Sequence, residues 1–246
     1  MLETYLKTLK LPTFLKRYQE VADQCQEKGT DYKEFLSQLS EMEVLARHSK
    51  MVQQKIKKAR FPVLKTLDSF DFKSTTTIEQ RQVYELATCE YVQSRSNVIA
   101  LGNSGTGKTH IGIALGLAAC QKGFSVLFTT AASLVNELLE AREEKQLLRL
   151  QKKINTYPLL IIDELGFVPF SKAGAELLFE VFSNRYERGS ILVTSNLPFQ
   201  EWTQIFGCER LTGALLDRLT HHVKILEMNG ESYRLTQSKK IKQKYN

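Results

Sequence analysis

The residues Gly102-Asn103-Ser104-Gly105-Thr106-Gly107-Lys108-Thr109 have the types and spacing to hold a polyphosphate. The pattern is G-x-x-x-x-G-K-T. Its glycines let a loop turn tightly and aim backbone N–H groups at phosphate oxygens. Lys108 has the reach for the β- and γ-phosphates, and the Thr109 hydroxyl can ligate Mg²⁺. His110 follows directly and joins the nucleotide-contacting candidates, in a structural rather than a catalytic capacity. A second cluster closes the apolar run Tyr157-Pro-Leu-Leu-Ile-Ile, which ends in Asp163-Glu164. Asp163 is suited to hold Mg²⁺ directly or through water. Glu164 is suited to orient or deprotonate an attacking water. A hydrolase needs that second acid; an enzyme that passes phosphate to a bound acceptor does not. Asn196, after the run Ser190-Ile-Leu-Val-Thr-Ser, is placed to meet the γ-phosphate or that water. Its alternative reading is a turn residue ahead of Pro198.

Such residues converge only if strands and helices bring them together. Asn97-Val-Ile-Ala-Leu101 precedes the glycine loop as a short apolar strand, and residues 110–120 follow it with helix length and composition. A helix N-terminus adds partial positive charge where the phosphates would lie. Further strands are expected at 124–130, 157–164, 190–196 and 223–228, with a helix at about 175–187. Strands alternating with helices imply a parallel sheet covered on both faces, with ligands at the carboxyl ends of the strands. Lys108, Asp163, Glu164 and Asn196 all fall at such ends. The stretch 132–154 is long enough for two helices, and its second half carries Lys145, Arg149, Lys152 and Lys153.

Residues 1–68 carry no strand signal. Pro12 opens a helix to about Cys25, and Gly29-Thr-Asp31 breaks the chain. Phe35, Leu39, Met42 and Ala46 then recur at helical spacing as a core stripe. Helix continues into a basic stretch and stops before Pro62. Residues 67–77 read as a turn-rich linker whose aromatics pack on the following domain or near a nucleotide base, and a helix from 78 to 93 leads into the first strand. The chain therefore divides into a helical domain, 1–68, and an α/β domain, 69–246, with a short basic tail.

The 246 residues are 42% hydrophobic and 25% charged, ordinary for a soluble globular protein, with a net charge of +7. No apolar run approaches a membrane span or a secretion core, so a cytoplasmic protein is expected. Cys25, Cys89, Cys120 and Cys208 lack C-x-x-C spacing and read as reduced thiols. Arg47, Lys50, Lys55, Lys57, Lys58, Arg60 and Lys65 form a one-sign run, with no acid between Glu43 and Asp68. One-sign runs favour a polyanion, so these cations and those of 145–153 are the candidate DNA contacts.

Arginines then narrow the class. The chain resembles AAA+ ATPases of the DnaC/IstB-like group, and most of all its IstB branch of insertion-sequence transposition helpers. The resemblance rests on 102–109 (Walker A), 159–164 (Walker B), Thr194-Ser-Asn196-Leu-Pro198 (sensor 1), Leu216-Asp-Arg218-Leu, and Gly230-Glu-Ser-Tyr-Arg234-Leu. Leu9-Lys-Leu-Pro12 and the 59–67 segment match as well. It implies a P-loop NTPase core of five parallel strands between helices with a reduced lid, joined to a small all-helical N-terminal domain. It also implies ATP and Mg²⁺ as ligands and a homo-oligomer joined through its ATP interfaces. Arg218, or failing it Arg210, would act on a neighbour's nucleotide, and Arg234 would sense its own chain's γ-phosphate. The implied partners are duplex DNA and a transposase. Two other readings remain, a replicative helicase loader of the DnaC type and a small-molecule P-loop kinase.

Overall fold

A computed structural model describes residues 1–72, 78–230 and 232–233. The chain forms two compact units, Met1–Gln54 and Lys55–Asn246. The expected boundary was 68/69. It falls earlier because Ala59 is fully buried in the second unit's core, with Ile56, Phe61, Leu67, Phe70 and Phe72 packed against the same cluster. Leu67, Phe70 and Phe72, expected in the linker, thus belong to the second.

In the first unit, α1 (Leu2–Thr8) and α2 (Pro12–Glu27) are followed by the start of α3 (Tyr32–Lys58). Pro12 stands in the first turn of α2, where its missing N–H costs nothing. Val21, Cys25 and Leu39 make a small core with Phe14, Tyr18, Phe35 and Met42. Ala46, expected in that stripe, is exposed. Glu43 is 4% exposed and accepts from the Thr13 N–H at 2.8 Å and from Arg47 Nε at 2.6 Å. Arg47 also donates to the Lys10 carbonyl.

The second unit is built on a five-stranded parallel sheet of order β2-β3-β4-β1-β5. The strands are β1 (Asn97–Leu101), β2 (Val126–Thr130), β3 (Leu159–Leu165), β4 (Ser190–Ser195) and β5 (Val223–Glu227). Alternate residues along each central strand enter different cores, as the two-residue period of a strand requires. Val98, Ala100, Leu159, Ile161 and Leu192 face one core; Ile99, Leu160, Ile162, Ile191 and Val193 face the other. Both faces being covered, β3 reads as an unbroken aliphatic run.

On the first face lie α4 (Gln80–Ala87), α5 (Glu90–Gln93) and α6 (Lys108–Gln121). The single helix expected over 78–93 is broken at Cys89, whose φ is 65°. Burial pushes the Cys89 and Cys120 thiols up to about 11, so both are inert near neutral pH. Gly116 lets α6 lie close to the sheet: a Cβ there would meet Ile161 Cδ1 at 2.7 Å and the Phe61 ring at 2.8 Å. On the second face lie α7 (Ala131–Glu143), α8 (Leu147–Asn155), α9 (Lys172–Arg185), α10 (Trp202–Phe206) and α11 (Glu209–Thr220). The 132–154 stretch is thus two helices. Thr130 caps α7 by accepting the Ser133 N–H, and Ser171 caps α9 through the Gly174 N–H. The outer strand β2 receives a further partner, since the Phe128 N–H donates to the Ala59 carbonyl at 2.8 Å. This shields an edge that would otherwise invite another chain.

Candidate nucleotide site

The loop between β1 and α6 curls over the carboxyl end of the sheet. Gly102, Gly105 and Gly107 all have positive φ. At Gly107 the space decides as well as the backbone: φ is 95°, and an added Cβ would meet Phe70 at 2.5 Å. Lys108 folds back, and its Nζ donates to the carbonyls of Gly102 and Asn103 at 2.7 Å each. A lysine so tethered stands over its own loop, where phosphate oxygens can replace the two carbonyls.

Asp163, 3% exposed, ends the unbroken buried run at the start of β3. Its Oδ1 accepts from Thr109 Oγ1 at 3.0 Å and from Thr194 Oγ1 at 2.5 Å. Glu164 follows in the left-handed region with φ 59°, where the β3–β4 pairing shifts register between Ile162 and Leu165. The kink turns Glu164 out of the sheet, and its side chain is exposed beside Asn196 and Phe167 in one cleft. The cleft has a volume of about 560 Å³ and is also lined by Ser104, Thr106, Lys108 and Thr109. The oxygens of Thr109 and Asp163 at the foot of a phosphate loop are hard ligands of the kind Mg²⁺ takes, so these residues fit that ion.

The opposite wall comes from residues 63–71. Val63, Leu64 and Phe70 give it an apolar surface, and Lys65, Ser69 and Asp71 its polar groups. His110 pins this wall. A carbonyl only accepts, so Nε2–H donates to the Thr66 carbonyl at 2.8 Å, with Ser69 Oγ at 3.3 Å. The His110 ring meets Phe70 edge-on at 5.1 Å. Desolvation, helped by the Lys65 charge and opposed by the Thr66 carbonyl, holds the imidazole below its ordinary pKa and therefore neutral. Sequence reasoning allowed Phe70 a place near a base but took Lys65 into the DNA-facing run and missed the rest of the wall. It also missed Thr194 as a hydrogen-bond donor to the Asp163 carboxylate, a contact across neighbouring strands that no local pattern in the sequence marks.

Residues 4–241 match the family described as IstB-like ATP binding protein.

The chain belongs to that family. This IstB-like chain is 38% identical over 239 residues to the ATP-binding protein of insertion sequence IS21 from Pseudomonas aeruginosa, spanning 97% of this chain and 90% of that one. It is 37% identical to the ATP-binding protein of IS5376 from Geobacillus stearothermophilus, over 96% and 94% of the two chains. Among solved structures it resembles the DnaC helicase loader, with a TM-score of 0.55 at 18% identity over 66% of this chain and 96% of that one. AMPPCP-bound DnaA from Aquifex aeolicus gives 0.55 at 20% identity over 76% and 56%. At these identities the likeness establishes the fold, an AAA+ P-loop core with a helical N-terminal region.

The remaining described candidates of the IstB-like chain's second unit are not among the residues lining the cleft. Arg218, on α11, donates to the Ala214 carbonyl at 2.7 Å and rests its guanidinium 5.2 Å from the Phe179 ring centroid. Neither Arg218 nor the exposed Arg210 is among the described residues lining the cleft. Arg234 lies outside the described residues, as do the tail lysines. The basic run falls partly in each unit. Arg47 and Lys50 belong to the first, where Arg47 is bound to Glu43 and Lys10. In the second, Lys55 donates to Ser125 Oγ at 3.1 Å and Arg60 pairs with Glu137 at 3.0 Å, while Lys57 and Lys58 are exposed. Lys145, Arg149, Lys152 and Lys153 are exposed too, the last three on α8 opposite Leu150 and Ile154. Among the described residues no helix is long and apolar enough to cross a membrane.

Proposed function

We propose that this protein is a Mg²⁺-dependent ATPase that binds duplex DNA, assembles with copies of itself there through its ATP sites, and recruits or activates a transposase. Hydrolysis resets the assembly. The observation that carries the reading is the meeting of Lys108, Thr109, Glu164 and Asn196 in one cleft above the Asp163 carboxylate, in a chain whose relatives are ATP-binding proteins of insertion sequences.

In this mechanism the N–H groups of residues 102–109 and the α6 N-terminus bind the phosphates, and Lys108 exchanges its two loop carbonyls for β- and γ-phosphate oxygens. Thr109 and Asp163 hold Mg²⁺, which when bound neutralises charge on the phosphate oxygens. Glu164 takes a proton from the attacking water, and Asn196 orients that water against the γ-phosphate. His110 holds the wall beside the base in place. Arg218 completes the site of a neighbouring copy, with Arg210 as its alternative, and Arg234 senses the phosphate in its own chain. A finger supplied in trans makes turnover depend on assembly. That Arg218 is engaged with Phe179 and Ala214 rather than with its own cleft supports this assignment. The helical unit of residues 1–54 serves as a DNA- or partner-binding domain, and the cations Lys50, Lys55, Lys57, Lys58, Lys145, Arg149, Lys152 and Lys153 meet DNA phosphates. Arg47 and Arg60 take part only by exchanging their present carboxylate partners.

The test is steady-state ATP hydrolysis without DNA, with duplex and with single strands, at two salt concentrations. Stimulation by duplex that fades with salt is expected, because phosphate contacts release counterions. Stimulation by single strands alone would replace the reading with a helicase loader, and indifference to both would favour a small-molecule enzyme. Lys108→Ala should fail to assemble on DNA with ATP.

A further inference from the structure

The two acids of the cleft share a support on the neighbouring strand. Thr194 lies on β4 and is 1% exposed. Its hydroxyl donates to Asp163 Oδ1 at 2.5 Å and accepts the Glu164 N–H at 3.0 Å. The Oδ1 atom that takes the Thr194 proton also accepts from Thr109 at 3.0 Å. A hydroxyl has one proton and can accept as well, so Thr194 bonds the Asp163 carboxylate and the Glu164 backbone at once. The result is a relay of side chains from the phosphate loop through β3 to β4.

The place of this relay matters. Between Ile162 and Leu165 the β3–β4 pairing shifts register. There the Thr194 hydroxyl takes the Glu164 N–H. That bond anchors a residue held at φ 59°, which an L-residue adopts only when its surroundings impose it. With Thr194 removed, the Asp163 carboxylate keeps one hydroxyl donor, Thr109, and the Glu164 peptide loses the side-chain oxygen that fixes it. The Thr194 methyl contributes separately, through packing. Its Cγ2 lies 3.6 Å from where a Cβ on Gly112 would be and rests against α6.

We propose that Thr194 is a positioning residue for ATP hydrolysis, its hydroxyl aligning Asp163 toward the metal-binding side of the cleft and fixing the Glu164 backbone so that the carboxylate projects toward the water. The proposal rests on the ATPase reading above. It separates two roles within the Thr194-Ser-Asn196 stretch. Both line the cleft, but Asn196 is exposed there and faces the reactants, whereas Thr194 is 1% exposed, with its hydroxyl engaged by Asp163 and the Glu164 N–H, and acts through those two residues.

The experiment compares the parent full-length protein with Thr194→Val, which keeps shape and loses the hydroxyl, and Thr194→Ser, which keeps the hydroxyl and loses the methyl. Three quantities are read: kcat and KM for ATP; the Mg²⁺ concentration that half-maximally tightens binding of a fluorescent ATP analogue; and the thermal unfolding midpoint. A lost hydrogen bond to a charged acceptor predicts a kcat about ten- to a hundredfold lower in T194V, with KM within about threefold. The Mg²⁺ requirement of T194V should rise several-fold, while Mg²⁺-free nucleotide affinity stays put. T194S should keep kcat within about threefold of the parent even if its unfolding midpoint falls. A T194V protein with parental kcat and Mg²⁺ requirement would overturn the proposal. So would equal loss in T194V and T194S, which would trace the effect to packing. If T194V does not fold, Thr194→Ala replaces it with the same expectations. If the parent itself shows no turnover, the ATPase reading fails, and the Mg²⁺ titration still decides whether Thr194 aligns Asp163.

Discussion

Glu164 stores backbone strain at the point where the cleft needs a carboxylate, and that strain is measurable. Its φ of 59° lies in the left-handed region, which costs an L-residue about 1–2 kcal/mol relative to the right-handed one. Its side chain is exposed, so little packing is lost when it is cut back. Glu164→Ala removes the carboxylate and keeps the Cβ that causes the strain. Glu164→Gly removes both but loosens the unfolded chain, which costs about 0.4–1 kcal/mol. The Thr194 bond survives in either variant because it uses the Glu164 N–H. E164G should therefore be more stable than E164A by about 0.5–1 kcal/mol, although glycine usually weakens a strand. In equilibrium urea unfolding with a slope of about 2 kcal/mol/M, the midpoint of E164G should lie about 0.25–0.5 M above that of E164A, with unchanged slope. Both variants should lose ATP turnover. An E164G midpoint at or below that of E164A would show that the kink costs nothing, and the link between strain and function at this residue would be lost.

Three further expectations follow from other parts of the chain. Arg185 is 2% exposed and donates to the carbonyls of Ile154, Tyr157, Pro158 and Ser190, tying the end of α8 to the starts of β3 and β4. Burial lowers its pKa to about 10, which leaves it charged at neutral pH. Arg185→Met leaves these buried carbonyls without their donor, which should cost about 3 kcal/mol or more in chemical denaturation, while the folded fraction binds nucleotide as the parent does. His110 is held below its ordinary pKa chiefly by desolvation, so the unfolded chain takes the proton first as pH falls. Its contribution is complete above about pH 6.5 and declines below that; the thermal midpoint of the parent should drop more on acidification than that of His110→Phe. At Glu43 burial acts to raise the pKa, but the bonds from Arg47 and Thr13 together outweigh it and hold the carboxyl low. Its stabilisation is present above about pH 4.5 and is lost as pH falls through the lower folded value. Glu43→Gln should expose the α2 amides to hydrogen exchange, at a cost of about 1–3 kcal/mol.

What could be read from the sequence and what could not divide along the range of the interactions involved. The strands were legible because a parallel sheet covered on both faces demands aliphatic runs, and Leu159-Leu-Ile-Ile162 admits few other environments. The phosphate loop was legible because its glycines answer a local backbone demand. The break at Cys89 was not, since no Gly or Pro marks it. Nor was the early end of the N-terminal unit. Residues 55–72 look like a basic helix end followed by a turn-rich segment, and only the sheet core that buries Ala59 and the α6 glycine that admits Phe61 give them their place.

The same segment carries a consequence for function. Lys55, Lys57 and Lys58 end α3 in a stretch whose next residues pair with β2, pack on α6, and form the cleft wall that His110 and Phe70 fasten to the phosphate loop. Fewer than ten residues separate the Lys58 ammonium from the Thr66 carbonyl that His110 holds. If DNA engages these lysines, its pull is delivered to the wall of the nucleotide cleft through the chain itself, with no need for a conformational signal across the sheet. Breaking the His110–Thr66 latch should then weaken the stimulation of ATP hydrolysis by DNA more than it weakens hydrolysis without DNA. His110→Ala tested with and without duplex would reveal this, and an equal loss in the two conditions would show that the wall serves the nucleotide alone.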